Sequence, residues 1–228
     1  MKNDFIYSGL SLQNRRKTNM DTIILLERVI SGENSLLITV CDGVGSLADG
    51  GVASTQIVNH LSEWFYRLVN TEIIGLKLRD EISAINRTII DYALEHSIQT
   101  ASTLSALFMT ENSYYIVNIG DSRVYSVTNK ELTQLTYDDS AENGALTAAI
   151  GFSQEPVLFY SEGQIDKQQF IVCSDGFYKR LDDEYLLNNI SYKSKKDIDK
   201  SIRRIVDYVI GRGEKDNISV AFARKDSK

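Results

Sequence analysis

The apolar residues of this chain change their spacing along its length, and that change limits the folds open to it. Short β-branched runs occupy Phe5–Leu12, Thr22–Ile30, Ser35–Cys41, Thr103–Thr110, Tyr114–Ile119, Val124–Val127, Pro156–Ser161, Phe170–Cys173 and Ile218–Ala223. Many are separated by gaps short enough for antiparallel hairpins. Between Cys41 and Thr103 the period becomes helical. Val52, Ile57, Val58, Leu61, Trp64, Phe65 and Leu68 fall at three- and four-residue spacing. A second helix is predicted from about Lys77 to His96, with Ile82, Ile85, Ile89, Ile90, Ala93 and Leu94 inward. A third, near Lys196–Ile210, gathers Ile198, Ile202, Ile205, Val206, Val209 and Ile210 on one side. Helices thus come in blocks between blocks of strands. That order argues for an α+β fold with helices covering mainly antiparallel sheets, over a doubly wound parallel sheet.

Composition narrows the function classes. The 228 residues can bury a sizeable core unaided. With one proline and no Gly/Ser linker, residues 1–228 read as a single domain. The formal charge of −6 gives no electrostatic reason to expect a nucleic-acid partner. No stretch approaches the roughly 20 apolar residues needed to cross a bilayer, and the N-terminus lacks the apolar core of a signal peptide. Cys41 and Cys173, each inside an apolar run, read as small buried thiols rather than a disulfide, consistent with a reducing compartment. These features predict a cytoplasmic protein with no membrane partner.

Chemistry gathers where the β runs end. Apolar runs close on aspartate in ITVCDG (Asp42), IVNIGDSR (Asp121) and FIVCSDG (Asp175), while Asp21 and Asp216 each precede one. A single strand-end aspartate is ordinarily a turn or capping residue. Several converging at one end of a sheet pair would repel one another and require cations, and all-oxygen ligation is what Mg²⁺ and Mn²⁺ prefer. His60 and His96 lie on helices in no metal-ligand spacing, which argues against zinc.

Taken in order, Arg16…Asn19-Met20-Asp21, Val40-Cys41-Asp42-Gly43-Val44-Gly45, Gly120-Asp121-Ser122-Arg123, Ser174-Asp175-Gly176 and Asp216-Asn217-Ile218-Ser219-Val220 resemble the metal-dependent serine/threonine protein phosphatases of type 2C, in a compact bacterial form. Ala101-Ser102-Thr103, Leu135-Thr136 before Asp138-Asp139-Ser140, and Ala148-Ala149-Ile150-Gly151 add smaller matches. The resemblance implies a four-layer αββα sandwich, two antiparallel sheets face to face with helices outside each. It also implies two Mn²⁺ or Mg²⁺ ions, with Asp42 bridging them, the Gly43 carbonyl on one, and Asp175 and Asp216 completing the other. Asp21 and Asp121 are further candidate ligands, Asn19 and Asn217 would support the site, and Arg16 would grip the substrate phosphate. The implied reaction is hydrolysis of phosphoserine or phosphothreonine by a metal-activated water, without a phospho-enzyme. The implied partner is a phosphoprotein made by a serine/threonine kinase, acted on by a monomer.

Three positions depart from the family's pattern. Met20 replaces a residue that can be an acidic ligand, and a thioether is a poor ligand for these ions. Lys179 stands four residues after Asp175 where many members place an aspartate for a third ion, so a third ion is not expected. The flap at about 138–152 is short. These departures keep open a pseudophosphatase acting as a binding module, with Asp42, Asp175 and Asp216 arguing for the active enzyme. Another two-metal hydrolase, such as a nuclease, has no motif of its own here.

Overall fold

The computed structural model describes residues 4–47, 49–128 and 131–226; the rest of the span 1–228 lies outside the described residues. In chain order the elements are β1 (Phe5–Leu12), β2 (Asp21–Ile30), β3 (Glu33–Asp42), α1 (Gly50–Arg67), α2 (Ile74–His96), β4 (Leu104–Met109), β5 (Ser113–Ile119), β6 (Arg123–Thr128), β7 (Glu131–Gln134), β8 (Phe159–Gln164), β9 (Gln169–Cys173), α3 (Asp175–Tyr178), α4 (Asp183–Asn189), α5 (Lys195–Gly211) and β10 (Ile218–Lys225). Two five-stranded antiparallel sheets result, ordered β1-β10-β9-β6-β7 and β2-β3-β4-β5-β8.

The period of two along each central strand builds the layers. On β3, Leu36, Ile38 and Val40 point between the sheets, where they meet Leu107, Phe170, Val172 and Ala221. Leu37 and Cys41 point the other way, onto Ile57, Leu61 and Ile82 of α1 and α2. On the second sheet, Phe170 and Val172 face inward while Ile171, Cys173 and Phe222 pack under Ile198, Ile202 and Val206 of α5. Both faces of these strands are buried, which is why Leu36–Cys41, with the buried Thr39 as its single polar residue, reads as a near-continuous apolar run rather than an alternating one. This is the expected αββα sandwich. Cys41 and Cys173 are free, buried and turned toward opposite helical layers.

Some expected elements move. The run predicted at Pro156–Ser161 is a strand only from Phe159, because pairing with β5 begins at Phe159 opposite Asn118. Val157 is 86% exposed. Leu94, expected inward on α2, is 71% exposed. It lies five residues past Ile89, hence about 140° round the helix. The edge strand β7 and the short helices α3 and α4 join the predicted set. Ser194 caps α5 by accepting the Asp197 N–H at 3.2 Å, and Asp182 caps α4 by accepting the Tyr185 N–H at 2.9 Å.

Candidate active site

Asp21 and Asp42 sit directly across from each other where β2 begins and β3 ends, so a hairpin brings together residues far apart in sequence. From the other sheet, Asp175 opens α3 immediately after β9, and Asp216 precedes β10. Because β9 and β10 are neighbours, their adjoining ends present both carboxyls to the same place. Asp121 comes from the turn between β5 and β6. Asp42, Asp121, Asp175 and Asp216 line one cleft of about 890 Å³, together with Arg15, Arg16, Lys17, Met20, Gly43 and Lys179.

Local chemistry explains each placement. The Ala101-Ser102-Thr103 string pins Asp42: Thr103 Oγ1 accepts the Asp42 N–H at 3.0 Å, and Ser102 Oγ donates to the Asp42 carbonyl at 3.0 Å. Ser174 ties the two sheets, donating to Asp21 Oδ2 at 2.9 Å and accepting the Ser219 N–H at 3.0 Å. Gly176 is glycine because a Cβ there would lie 2.0 Å from the Asn217 carbonyl oxygen, so the turns carrying Asp175 and Asp216 could not close. Gly43 is packed just as tightly, with a Cβ falling 2.6 Å from the Gly50 oxygen and 2.9 Å from that of Met20. Its lack of a side chain therefore serves the turn as well as any access to its carbonyl.

The loop before β2 is held from the far end of the chain. Asn217, 5% exposed, accepts the Met20 N–H at 2.9 Å and donates to the carbonyls of Gln13 at 2.9 Å and Thr18 at 3.0 Å. Asn14, in the left-handed region at φ 52°, donates to the Asp216 carbonyl at 2.9 Å. Arg16 is thereby delivered to Asp216, which accepts its Nε at 2.7 Å and its Nη2 at 2.6 Å. Met20 contributes through its main chain, its carbonyl accepting Gly43 N–H at 3.2 Å and Ser54 Oγ at 2.6 Å. Asn19 donates to Ser11 Oγ at 2.8 Å and accepts the Asp21 N–H at 3.2 Å.

Electrostatics mark the cleft as strained. Burial, then the charges of Asp21 and Asp175, holds the Asp42 carboxyl well above its ordinary range. Burial also lifts Asp21 to about 6. Asp121 is likewise lifted to about 6 by burial and by Asp175. Buried oxygens Oδ1 of Asp21 and Oδ1 of Asp175 have no hydrogen-bond partner. At Asp216 a partner wins: burial would raise its pKa, but the Arg16 fork holds it below the usual carboxylate value. Lys179 pairs with Asp175 and stands 4.0 Å from Asp121 Oδ2. Arg123, two residues after Asp121, forks onto Asp138, with Nη2 2.6 Å from Oδ2, and lies 3.6 Å over the Tyr178 ring. His60 and His96 lie on α1 and α2 outside the cleft lining.

Residues 17–214 match the family model described as protein phosphatase 2C, and the chain belongs to that family. It is a serine/threonine protein phosphatase acting on phosphoproteins, in a metal-dependent family. Serine/threonine phosphatase stp of Listeria welshimeri is 27% identical over 219 residues, covering 85% of this chain and 86% of that protein. Serine/threonine protein phosphatase PstP of Mycobacterium tuberculosis is 27% identical over 209 residues, covering 82% of this chain and 40% of that one. The solved catalytic domain of PstP in complex with two manganese ions superposes with a TM-score of 0.79 at 26% identity, over 98% of this chain and 99% of that one. Stp1 from Staphylococcus aureus shares the fold with a TM-score of 0.85 at 21% identity, over 100% of this chain and 96% of that chain.

Proposed function

We propose that the described residues form one phosphatase domain, with its flap at about 138–152, that hydrolyses phosphoserine and phosphothreonine with two divalent ions. The observation that carries this reading is the Asp42 carboxyl at the cleft, set against Asp175, whose Oδ1 there has no partner, and against Asp21, whose orphaned Oδ1 is buried outside the cleft lining. Among the described residues no group of three or more acidic, histidine or cysteine side chains is arranged to encircle an ion as placed. Two of the carboxylates are engaged by Arg16 and Lys179. The donor set nevertheless fits hard, oxygen-preferring cations, because the unmatched groups are carboxylate oxygens and, Met20 apart, the lining holds no histidine, cysteine or other soft ligand.

Asp42 and the Gly43 carbonyl, with Asp175 and Asp216, would hold Mn²⁺ or Mg²⁺, and Asp21 and Asp121 would add negative charge behind them. Such a pair of ions supplies the charge that acidifies a water and neutralises phosphate oxygens. The chain's own groups do the rest. Arg16 presents a planar fork that already grips one pair of oxygens on Asp216 and matches a phosphate equally well. Asn217 holds the loop that aims it, and Asn19 steadies the approach to Asp21. Lys179 keeps a positive charge beside Asp175 and Asp121, which disfavours a third ion there. No observation supports the pseudophosphatase reading: the aspartates of the proposed site are all present. Its substrates would be products of serine/threonine kinases. A reducing, cytoplasmic setting suits its two buried free thiols, and we read it as a monomer. Among the described residues no helix is long and apolar enough to cross a membrane.

The test is Mn²⁺ titration by calorimetry alongside phosphate release from a phosphothreonine peptide, for the wild type and Asp42→Ala. Two ions bound and saturable, metal-dependent release are expected, both impaired in the variant while its circular dichroism is retained. Normal hydrolysis by Asp42→Ala would overturn the ligand assignment.

A further inference from the structure

A buried amide on α2 governs a turn that α2 itself does not need. Asn86 is fully buried on the helix face otherwise occupied by Ile82, Ile85 and Ile89. An amide in that setting is costly unless its hydrogen bonds are made. Its Oδ1 accepts the Gly151 N–H at 2.9 Å and its Nδ2 donates to the Ser153 carbonyl at 2.8 Å. Those two groups flank a single residue, Phe152.

The rest of the turn is fixed as firmly. Gly151 takes φ +97°, and a Cβ on it would lie 2.8 Å from the Thr100 carbonyl oxygen. The Phe152 N–H donates to the Ala149 carbonyl at 3.2 Å. Two residues before Phe152, Ile150 exchanges main-chain hydrogen bonds of 2.9 and 3.0 Å with Ser102, whose hydroxyl holds the Asp42 carbonyl. The turn is thus joined through Ser102 to the strand end that carries the central carboxylate.

What this framework presents is a phenylalanine 45% exposed to solvent, lining the same cleft as Asp42, Asp175 and Arg16, as do Ala145 and Leu146. A ring with nothing else to do would lower its free energy by folding onto the core. Here the main chain on both sides of it is locked, and the ring stays in water at the reaction site. An apolar surface so placed has a natural occupant, a side chain of the molecule whose phosphate lies at the carboxylates.

We propose that Phe152 is a specificity-determining residue that takes up an apolar side chain, aromatic or branched aliphatic, flanking the phosphorylated residue of the substrate, and that Asn86 positions it. This rests on reading the cleft as the phosphatase active site. The substrate class is then a phosphoprotein whose phosphorylated residue sits in an apolar local sequence rather than among glycines or charges.

The experiment compares kcat/KM on two phosphothreonine peptides, one with leucine on both sides of the phosphoresidue and one with glycine, at saturating Mn²⁺. The wild type is expected to favour the leucine peptide by about tenfold, mainly in KM, the scale set by burying part of one apolar side chain. Phe152→Ala should reduce that ratio to about twofold or less, while Phe152→Leu retains most of it. Asn86→Ala should lower the ratio in the wild-type background but not further in the Phe152→Ala background, which loss of stability alone would not do. Equal rates on the two peptides, or an unchanged ratio in Phe152→Ala, would overturn the proposal and leave the phosphatase reading standing. Hydrolysis of neither peptide at any Mn²⁺ concentration would overturn both.

Discussion

Replacing Asp121 by asparagine should stabilise the metal-free protein, and the gain should depend on pH in a calculable way. Asp121 is 7% exposed, and burial, followed by the charge of Asp175, raises its pKa from 3.8 to about 6. Lys179, 4.0 Å from its Oδ2, offsets only part of this. A carboxyl with a raised pKa keeps its proton in the folded chain when the unfolded chain has lost it. Its favourable contribution is therefore present below about pH 4 and disappears as pH rises through about 6. A shift of about two units corresponds to about 3 kcal/mol. Asparagine keeps the shape of the neutral acid and never ionises, so Asp121→Asn should exceed the wild type by up to about 3 kcal/mol at about pH 7 and by little at about pH 4. For a chain of this size that is roughly 6–12 °C in Tm. The assay is urea unfolding of both proteins in chelator at the two pH values. A difference that does not change with pH, or a more stable wild type at neutral pH, would refute the reasoning. So would the same gain in Mn²⁺, where bound cations should have removed the repulsion.

Three further expectations follow from the same geometry. Gly176→Ala, whose Cβ would meet the Asn217 carbonyl oxygen at 2.0 Å, should destabilise the fold by about 1–3 kcal/mol in urea titrations and weaken Mn²⁺ binding by parting Asp175 from Asp216. Asn217→Ala strands the Met20 N–H and two carbonyls; a loss of about 1–3 kcal/mol is expected by thermal unfolding, with a fall in kcat/KM as the loop carrying Arg16 loosens. Arg16→Lys keeps the charge and loses the fork, so kcat/KM on a phosphopeptide should drop about tenfold or more; an unchanged value would place the phosphate elsewhere.

Much of this molecule was legible from spacing alone. The strands around Asp42 and Asp175 and the three long helices announce themselves because their apolar residues must meet a buried layer at a period of two or 3.6. The order of short motifs likewise picked out Asp42, Asp121, Asp175 and Asp216, which the fold gathers in one cleft, since glycine and serine beside them reflect turns that tolerate little else. Elements with no buried stripe left no such mark. Glu131–Gln134 alternates polar residues at a sheet edge and pairs only because β6 offers it a partner. Tertiary structure alone decided which charges meet. Arg16 reaches Asp216 across 200 positions, Arg123 turns to Asp138 and not to Asp121 two residues before it, and the amide of Asn86 leaves its helix to hold Gly151 and Ser153. Periodicity reports the face a residue turns to its layer, whereas ion pairs and buried amides depend on distances between layers, which exist only once the sheets have packed.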